Sequence, residues 1–343
     1  MTIDHAERAT LGRTGLEVTR LGFGGASIGG LFSAVDDADA IATVRHAWSA
    51  GVRLFDTAPL YGYGASERRV GVALAGLPRD AFVLSTKVGR LVRPTADIPA
   101  GADIDRQALD GREDAFYVIR DPVRMVFDYS ADGVRRSLEE SLERLGLDRI
   151  DIALIHDPDD HWRDAIEGAW PALERLRSEG VIRAVGAGMN QSAMLTRFVR
   201  ETTMDVVLVA GRYTLLDQAA LADLMPACEE RGVGVVIGGV MNSGVLADPR
   251  PGARFNYGPA GPDVIDRARR IGAACARHGV PLRAAAMQFP MAHPAAVSLV
   301  AGVRSVAHLD EYPALLAHPI PAALWDELRD DGLIAPDAPV PAA

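Results

Sequence analysis

Four side chains with complementary chemistry stand at or just after the ends of short apolar runs. Asp56, Lys87 and His156 each close such a run, and Tyr61 lies in the segment just after the first. Singly, each has an ordinary explanation: a turn cap, a solvent-facing lysine, a core histidine and a packed ring. Together they supply a carboxylate, an ammonium, an imidazole and a phenol, a set suited to proton transfer.

The phenol is the candidate proton carrier. A free phenol has a pKa of ~10 and is a poor base at neutral pH, but a nearby ammonium favours the phenolate. Lys87 can supply that ammonium, and the Asp56 carboxylate offsets the tendency of a lysine in a dry pocket to lose its proton. We therefore predict that Tyr61 transfers the proton and that Lys87 and Asp56 support it.

The elements that must position these residues alternate between β-branched runs and longer amphipathic segments. This order is typical of a parallel sheet covered by crossover helices. The predicted strands are Val18–Gly24, Arg53–Asp56, Phe82–Lys87, Asp151–Ile155, Ile182–Ala187, Val206–Ala210, Val233–Ile237 and Val297–Ala301. Eight such units favour a (β/α)8 TIM barrel, an α/β fold in which chemistry lies at the carboxyl ends of the strands. An open doubly wound sheet is the alternative.

The helices between the strands carry start and stop signals. The predicted helices are Asp36–Ala50, stopped by Gly51; Asp132–Leu145, opened by Ser130 and stopped by Gly146; and Asp164–Ser178, which begins or kinks at Pro171. Residues 88–129 and 238–262 follow strands and are rich in Pro, Gly and charge, so we predict loops at the barrel mouth that act as lids. We predict one domain over residues 1–343 with a loosely ordered tail after Asp331.

Composition limits the possible partners. With 36 basic and 46 acidic residues the formal charge is −10, which argues against nucleic acid. Cys228 and Cys275 stand far apart, so no disulfide framework or cysteine metal cluster is indicated. The N-terminus lacks a signal peptide and the apolar runs are shorter than the ~20 residues of a membrane span. We predict a cytoplasmic protein without a membrane partner, of open oligomeric state.

Four ordered motifs resemble those of the aldo-keto reductases. They are Phe55–Gly62 followed by Ser66 and Glu67, Ser85–Gly89, Ser137–Asp151 leading to His156, and Gly180–Gly186. The resemblance implies a barrel in which Tyr61 is the general acid/base, Lys87 and Asp56 are its supporting pair, and His156 orients the substrate. It also implies hydride transfer between C4 of a nicotinamide and the substrate carbon without a metal. The acidic run from His156 to His161 is therefore not interpreted as a metal site.

The same resemblance implies a set of cofactor contacts. They are Gly24 and Gly25 at the first strand end, Asn190 for the carboxamide, Gly238 in place of a stacking tyrosine, Asn242, Gly244 and Leu246 in the following loop, and Gly302, Arg304, His308 and Glu311 near the phosphates and adenosine. Ala210 replaces a common glutamine, so we expect the nicotinamide to be held differently. The 22–30 segment lacks the last glycine of G-x-G-x-x-G and is not evidence for a Rossmann fold.

Cofactor choice depends on the cations of the last segment. Relatives that use NADP carry a lysine near Gly302 and an arginine near His308, and this sequence has neither, although Arg304 lies between them. A 2′-phosphate needs cationic donors. The sequence therefore predicts NAD as the preferred cofactor and NADP as the alternative.

The substrate is expected to be a small sugar or aldehyde. Segments Gly24–Phe32, Tyr61–Gly64 and Gly211–Asp217 look most like sugar 1-dehydrogenases of the L-fucose and D-threo-aldose types. This implies oxidation of the anomeric hydroxyl of an aldose, such as L-fucose or D-arabinose, to a lactone. Three alternatives stay open: a pyridoxal 4-dehydrogenase-like lactone-forming enzyme, an NADPH-dependent aldehyde or ketone reductase, and a non-catalytic protein that senses the nicotinamide. Candidates for substrate contacts at the mouth are Arg90, Arg93, Arg124 and Tyr129.

Overall fold

The computed structural model describes residues 2–105, 116–118 and 122–342, and shows eight parallel strands closed into a barrel in chain order. The barrel strands are β1 (Leu21–Gly24), β2 (Leu54–Asp56), β3 (Val83–Val88), β4 (Ile152–His156), β5 (Ala184–Met189), β6 (Val206–Ala210), β7 (Gly234–Gly238) and β8 (Ala296–Gly302). All eight predicted strands are confirmed to within a few residues, and the open-sheet alternative is wrong.

The first predicted strand divides into two parts. Glu17–Thr19 pairs with Arg8–Thr10 as an antiparallel hairpin, and only β1 enters the barrel. Arg20 marks the switch, because its N–H donates to Glu7 O while its carbonyl accepts from Leu299 N. One apolar run thus serves two sheets, which its pattern alone does not reveal.

The main helices lie between the barrel strands along the chain and after the last strand. They are α1 (Asp37–Ser49), α2 (Ala65–Leu74), α3 (Ala131–Leu145), α4 (Trp170–Ser178), α5 (Ala193–Glu201), α6 (Leu224–Arg231), α7 (Pro262–Arg277), α8 (Leu282–Gln288), α9 (Val306–Leu316) and α10 (Ala322–Asp330). The Ser130 hydroxyl accepts from Gly133 N at 3.0 Å to cap α3, and Gly146 ends that helix with φ 61°. A short helix (Trp162–Asp164) and a π-helical turn (Ala165–Ala169) precede α4, which begins with Pro171 in its first turn, as predicted.

Two compact units make up the chain. One comprises Met1–Leu21, Met189–Ala301 and Asp310–Ala343, and the other comprises Gly22–Gly188 and Gly302–Leu309. The prediction of a single domain stays a prediction. Among the described residues, no helix is both long and apolar enough to cross a membrane.

The 88–129 segment contains regular structure that the loop prediction missed. Arg90–Pro94 and Val123–Phe127 pair as an antiparallel hairpin, the mouth hairpin, and Ile104 adds a bridge to Val126. Short 3-10 turns also occur in the chain: Ser27–Gly29, Arg79–Ala81, Thr95–Asp97, Asn242–Gly244 and Pro290–Ala292. Residues 106–115 and 119–121, part of the predicted lid, lie outside the described residues.

The 238–262 segment is a compact loop with its own small hairpin. Arg254–Phe255 pairs with Gly258–Pro259, and Asn256 Oδ1 at its tip accepts from Arg212 Nη1 at 2.7 Å. The residue after the tip, Tyr257, donates from its N–H to Ser243 Oγ at 3.0 Å. Side-chain contacts therefore give this predicted lid a defined shape.

The residues after Asp331 are packed rather than loose, contrary to the prediction. Leu333 and Ile334 are buried, and Leu333 O accepts from Arg267 Nη2 at 2.7 Å. Ala335 N donates to Gln218 Oε1 at 2.7 Å. Apolar burial and bonds to distant side chains hold the segment, and an Ala- and Pro-rich composition does not indicate either.

Candidate active site

Asp56 and Lys87 form a buried ion pair at the carboxyl ends of β2 and β3. Lys87 Nζ lies 2.9 and 2.8 Å from Asp56 Oδ1 and Oδ2 and donates to Thr57 O at 2.9 Å. The strand register places Asp56 opposite Ser85, two residues before Lys87 on the same face. The ammonium has an acceptor for each of its three N–H groups, so the pair is satisfied without water.

Tyr61 lies over this pair. Its ring centroid is 4.7 Å from Lys87 Nζ, inside the range in which a cation acts on an aromatic ring. The next residue must be glycine, because Gly62 has φ +63° and an added Cβ would lie 2.1 Å from Gly29 O. The Tyr-Gly sequence therefore lets the loop after β2 turn tightly against the backbone at Gly29 and carry the phenol back to Lys87.

His156 ends β4, and its ring is nearly perpendicular to the Tyr61 ring, at 5.8 Å between centroids and 85° between planes. Burial, followed by the positive charges of Arg90 and Lys87, lowers the pKa of His156 well below its ordinary value of 6.5. The imidazole is therefore neutral at physiological pH. A neutral ring has one N–H donor and one lone pair, which suits it to orient a substrate oxygen rather than to act as a fixed cation.

A second charged cluster lies beside His156. Arg90 Nη1 donates to Asp105 Oδ2 at 2.8 Å, and Arg90 Nη2 lies 3.5 Å from Asp157 Oδ2. Burial alone would lower the pKa of Arg90, but Asp157, Tyr129 and Asp105 together raise it. The Tyr129 hydroxyl donates to His156 O at 2.7 Å, and Gly89 makes room for this ring, since a Cβ there would lie 2.1 Å from Tyr129 Cε1.

The four residues expected to contact substrate at the mouth all make contacts within the protein itself. Arg90 and Tyr129 belong to the charged cluster, and Arg93 pairs with Glu140 at 2.9 Å. Arg124 donates to Val123 O at 2.9 Å. Their contacts make them structural supports of the mouth hairpin.

Apolar and aromatic side chains border Tyr61 on another side. Leu60, Tyr63, Tyr117 and Met125 form a buried cluster against which Tyr61 packs. The Tyr117 ring lies 6.2 Å from the Tyr61 ring between centroids. Tyr117 and Met125 come from the mouth segment, so that segment covers part of the Tyr61 ring.

The cofactor candidates of the Gly22–Gly188 and Gly302–Leu309 unit divide into two groups. Gly24 lies opposite Asp56 in register, and Gly25 N donates to the backbone carbonyl of Asp56 at 2.8 Å, so this strand end lies beside the Asp56 backbone. Arg304 and His308 are exposed, and Arg304 makes no ion pair with any described residue. At Gly302 a Cβ would lie 2.8 Å from Ser27 Oγ.

In the other unit, two asparagine candidates differ in whether their side-chain atoms remain available to a cofactor. Asn190 Oδ1 accepts from the Tyr257 hydroxyl at 3.1 Å, which leaves its amide nitrogen for a carboxamide. Asn242 is 2% exposed, and its side chain bonds Thr214 Oγ1 at 2.6 Å and Gly211 O at 3.2 Å, so it shapes the loop.

The remaining candidates of this unit are Gly238, Gly244, Leu246 and Glu311. Gly238 ends β7, and Gly244 has φ +109° with open space where a Cβ would stand. Leu246 is fully buried, and Glu311 accepts from Arg283.

Each unit, taken by itself, offers groups whose chemistry suits part of a nicotinamide dinucleotide. Exposed Arg304 and the N–H groups that open α9 are suitable donors for phosphate, and Asn190 is suitable for a carboxamide. Among the described residues, no three His, Cys, Asp or Glu side chains are placed to hold a metal ion.

Sequence reasoning missed two carboxylates of the charged cluster beside His156. Asp157 follows it directly, and Asp105 lies in a segment with no periodic pattern. Their convergence on Arg90 depends on the fold of the mouth hairpin. In the sequence, only Arg90, two residues after the strand end at Val88, indicated this charged cluster.

Comparison with known proteins gives a consistent result. Residues 20–330 match the model of the aldo/keto reductase family. The chain is 45% identical to D-threo-aldose 1-dehydrogenase of a Pseudomonas species over 93% of its length and 96% of that protein. It is 40% identical to pyridoxal 4-dehydrogenase of Microbacterium luteolum, over 98% and 100%. An aldo-keto reductase from Bacillus halodurans, in its holo form, superposes with a TM-score of 0.72 and 25% identity, covering 94% and 95% of the two chains.

Proposed function

Because the chain belongs to the aldo-keto reductase family and is an NAD(P)-dependent oxidoreductase, we propose that it oxidises the anomeric hydroxyl of an aldose to a lactone with NAD. L-fucose and D-arabinose are the candidate substrates. The observation that carries the proposal is the Lys87 ammonium, held by Asp56 and lying 4.7 Å from the Tyr61 ring. The relative named D-threo-aldose 1-dehydrogenase supports the substrate class.

In the proposed reaction Tyr61 is the general base. Its phenolate oxygen takes the proton of the anomeric hydroxyl, and Lys87 stabilises the phenolate before that transfer. Neutral His156 donates an N–H to the same substrate oxygen and fixes its direction. When bound, the nicotinamide supplies the acceptor for the hydride that leaves the anomeric carbon. The substrate loses one proton and one hydride, and the carbon–oxygen bond becomes the lactone carbonyl.

Cofactor residues are assigned by the same proposal. Gly24 and Gly25 would border the nicotinamide, Asn190 would bond its carboxamide, and Arg304 would bind phosphate. The lack of a second cation near Arg304 in the sequence favours NAD, since a 2′-phosphate is best held by paired donors.

A second candidate is oxidation of pyridoxal. The 40% identical relative is named for that activity, and Tyr117 beside Tyr61 offers an aromatic neighbour for a flat ring. Tyr61 would again take the hydroxyl proton, so the central residues do not distinguish the two substrates.

A screen of both cofactors tests the proposal. NAD and NADP are each combined with L-fucose, D-arabinose, L-galactose, pyridoxal and simple aldehydes, and formation or loss of the reduced nicotinamide is followed by absorbance. We expect sugar oxidation with NAD to have the highest kcat/KM. Turnover of pyridoxal alone would favour the second candidate, and faster aldehyde reduction with NADPH would indicate a reductase. Tight NAD binding without turnover of any of these compounds would indicate a sensor.

A further inference from the structure

Asp157 is the most accessible charged group of the cluster beside His156. Its side chain is 14% exposed, against 6% for Arg90 and 2% for Asp105. Asp157 Oδ2 lies 3.5 Å from His156 Nε2 and 3.5 Å from Arg90 Nη2. A carboxylate therefore stands beside Nε2 of the imidazole to which the proposed function assigns the substrate oxygen.

The backbone directs this carboxylate. Asp157 has φ +38°, in the left-handed region, while its N–H donates to Gly188 O at 3.0 Å and continues the β4–β5 pairing. Its carbonyl accepts from the Tyr129 hydroxyl at 3.2 Å and from Arg90 Nη2 at 3.4 Å. Two side chains hold Asp157 in this uncommon backbone conformation. We infer that the direction of the Asp157 side chain matters for its role.

The 3.5 Å separation leaves the His156 donor available. It is too long for a strong hydrogen bond, so Nε2 is not consumed by Asp157. His156 Nδ1 is buried and finds no hydrogen-bond partner among the described residues. A carboxylate next to Nε2 favours a proton on that nitrogen, since it attracts an N–H and repels a lone pair. His156 thus presents a donor, and Asp157 an acceptor, side by side.

We propose that Asp157 accepts a hydrogen bond from the substrate hydroxyl next to the reacting carbon and so selects polyhydroxylated substrates. This rests on the proposed function. A vicinal pair of oxygens can meet both groups at once: the reacting oxygen accepts from His156 Nε2, and the neighbouring hydroxyl donates to Asp157. Arg90 attracts the Asp157 carboxylate and is itself held by Asp105, and in the proposal neither of these two residues contacts the substrate. Simple aldehydes and deoxy sugars lack the second contact.

The test compares D-arabinose with its 2-deoxy counterpart, 2-deoxy-D-ribose, in the wild type and in Asp157→Asn. A hydrogen bond to a charged group contributes ~1.5–3 kcal/mol, so the wild type should favour D-arabinose in kcat/KM by roughly 10- to 150-fold. Asparagine tolerates the left-handed backbone but offers only a neutral acceptor, so the variant should lower this ratio several-fold. Binding of NAD, followed by quenching of protein fluorescence, should be unchanged.

Asp105→Asn is the matched control, because it removes the other carboxylate of Arg90 at a buried position. It should lower kcat/KM for both sugars by the same factor. If Asp157→Asn does not fold, Asp157→Gly removes the carboxylate at a position where glycine is unstrained.

Two results would overturn the inference while the proposed function stands. One is a wild type that turns over both sugars equally, and the other is an Asp157 variant that keeps the wild-type ratio, even with lower activity. A wild type that oxidises no aldose would overturn both.

Discussion

Lys87 Nζ lies within 2.9 Å of both carboxylate oxygens of Asp56, and the two side chains are 1% and 4% exposed. An ion pair this deeply buried is costly to form and more costly to break, because removing one partner leaves an unpaired charge away from water. The pair also lies beside the Tyr61 ring. Its effect on stability and its use in catalysis can therefore be separated by substitution.

Tyr61→Phe tests the general base. The ring and its packing stay while the hydroxyl is lost, so we expect kcat to fall by ~10²- to 10⁴-fold, the usual contribution of acid–base transfer. The dissociation constant for NAD should be unchanged when measured by fluorescence. Tyr213→Phe is the matched control: this ring is buried and its hydroxyl has no hydrogen-bond partner among the described residues. Similar turnover by the Tyr61 variant and the control would contradict the assignment.

Asp56→Asn tests the ion pair. The variant leaves the Lys87 ammonium buried without its counter-charge, and we expect the free energy of unfolding to fall by roughly 3–5 kcal/mol. In the double variant Asp56→Asn with Lys87→Met neither charge remains, and much of that loss should be recovered without recovery of turnover. Urea unfolding gives the stability and steady-state assays the activity. If Asp56→Asn alone is as stable as the wild type, Asp56 and Lys87 do not form a buried ion pair.

The four catalytic candidates could be predicted from the sequence because three of them lie at strand ends and the fourth lies in the loop after one of those ends. The local sequence pattern predicts the strands of a parallel barrel, and the carboxyl ends of those strands all lie on one face of the barrel. Asp56, Lys87 and His156 are therefore expected to lie close together once the strand order is known. The Tyr-Gly turn adds Tyr61 by a local constraint. Little tertiary information is needed for this part of the site.

The charged cluster and the C-terminal segment could not be predicted in the same way. Asp105 reaches Arg90 because its N–H donates to Met125 O, which places its loop along the mouth hairpin. Leu333 is buried, and its carbonyl accepts from Arg267 of α7, which lies 66 residues away in sequence. Contacts of this kind depend on distant partners and leave no periodic signal.

His156 predicts a pH dependence of stability. Its pKa in the folded protein lies well below 6.5, whereas the unfolded chain takes up the proton near ~6.5. Below that pH the unfolded state binds more protons, so the free energy of unfolding falls as the pH decreases, by at most about 1.4 kcal/mol per pH unit for this group. Glutamine does not titrate, so His156→Gln should lose less stability than the wild type between roughly pH 6.5 and 5.5 in urea unfolding. Equal losses would show that His156 is protonated in the folded state.

Arg304→Ala tests the cofactor preference. Arg304 is exposed and makes no ion pair with a described residue, so it is placed to bind a phosphate. If it faces a 2′-phosphate, its removal should weaken NADP binding by roughly 10- to 100-fold and NAD binding far less. Arg163→Ala, at an arginine with an 84% exposed side chain, is the control. Fluorescence titration gives the dissociation constants of NAD and NADP for each protein. If Arg304→Ala raises both constants by the same factor, Arg304 is assigned to the pyrophosphate instead.

Leu333→Ala tests the packing of the C-terminal segment. Leu333 is 1% exposed, and truncating a buried leucine typically costs ~2–5 kcal/mol of unfolding free energy because a cavity remains. Val181→Ala is the comparison, since this valine is 54% exposed and its truncation should change stability by less than ~0.5 kcal/mol. Urea unfolding of the three proteins gives both differences. A Leu333 variant as stable as the Val181 variant would mean that the residues after Asp331 are not part of the core, as their composition alone had indicated.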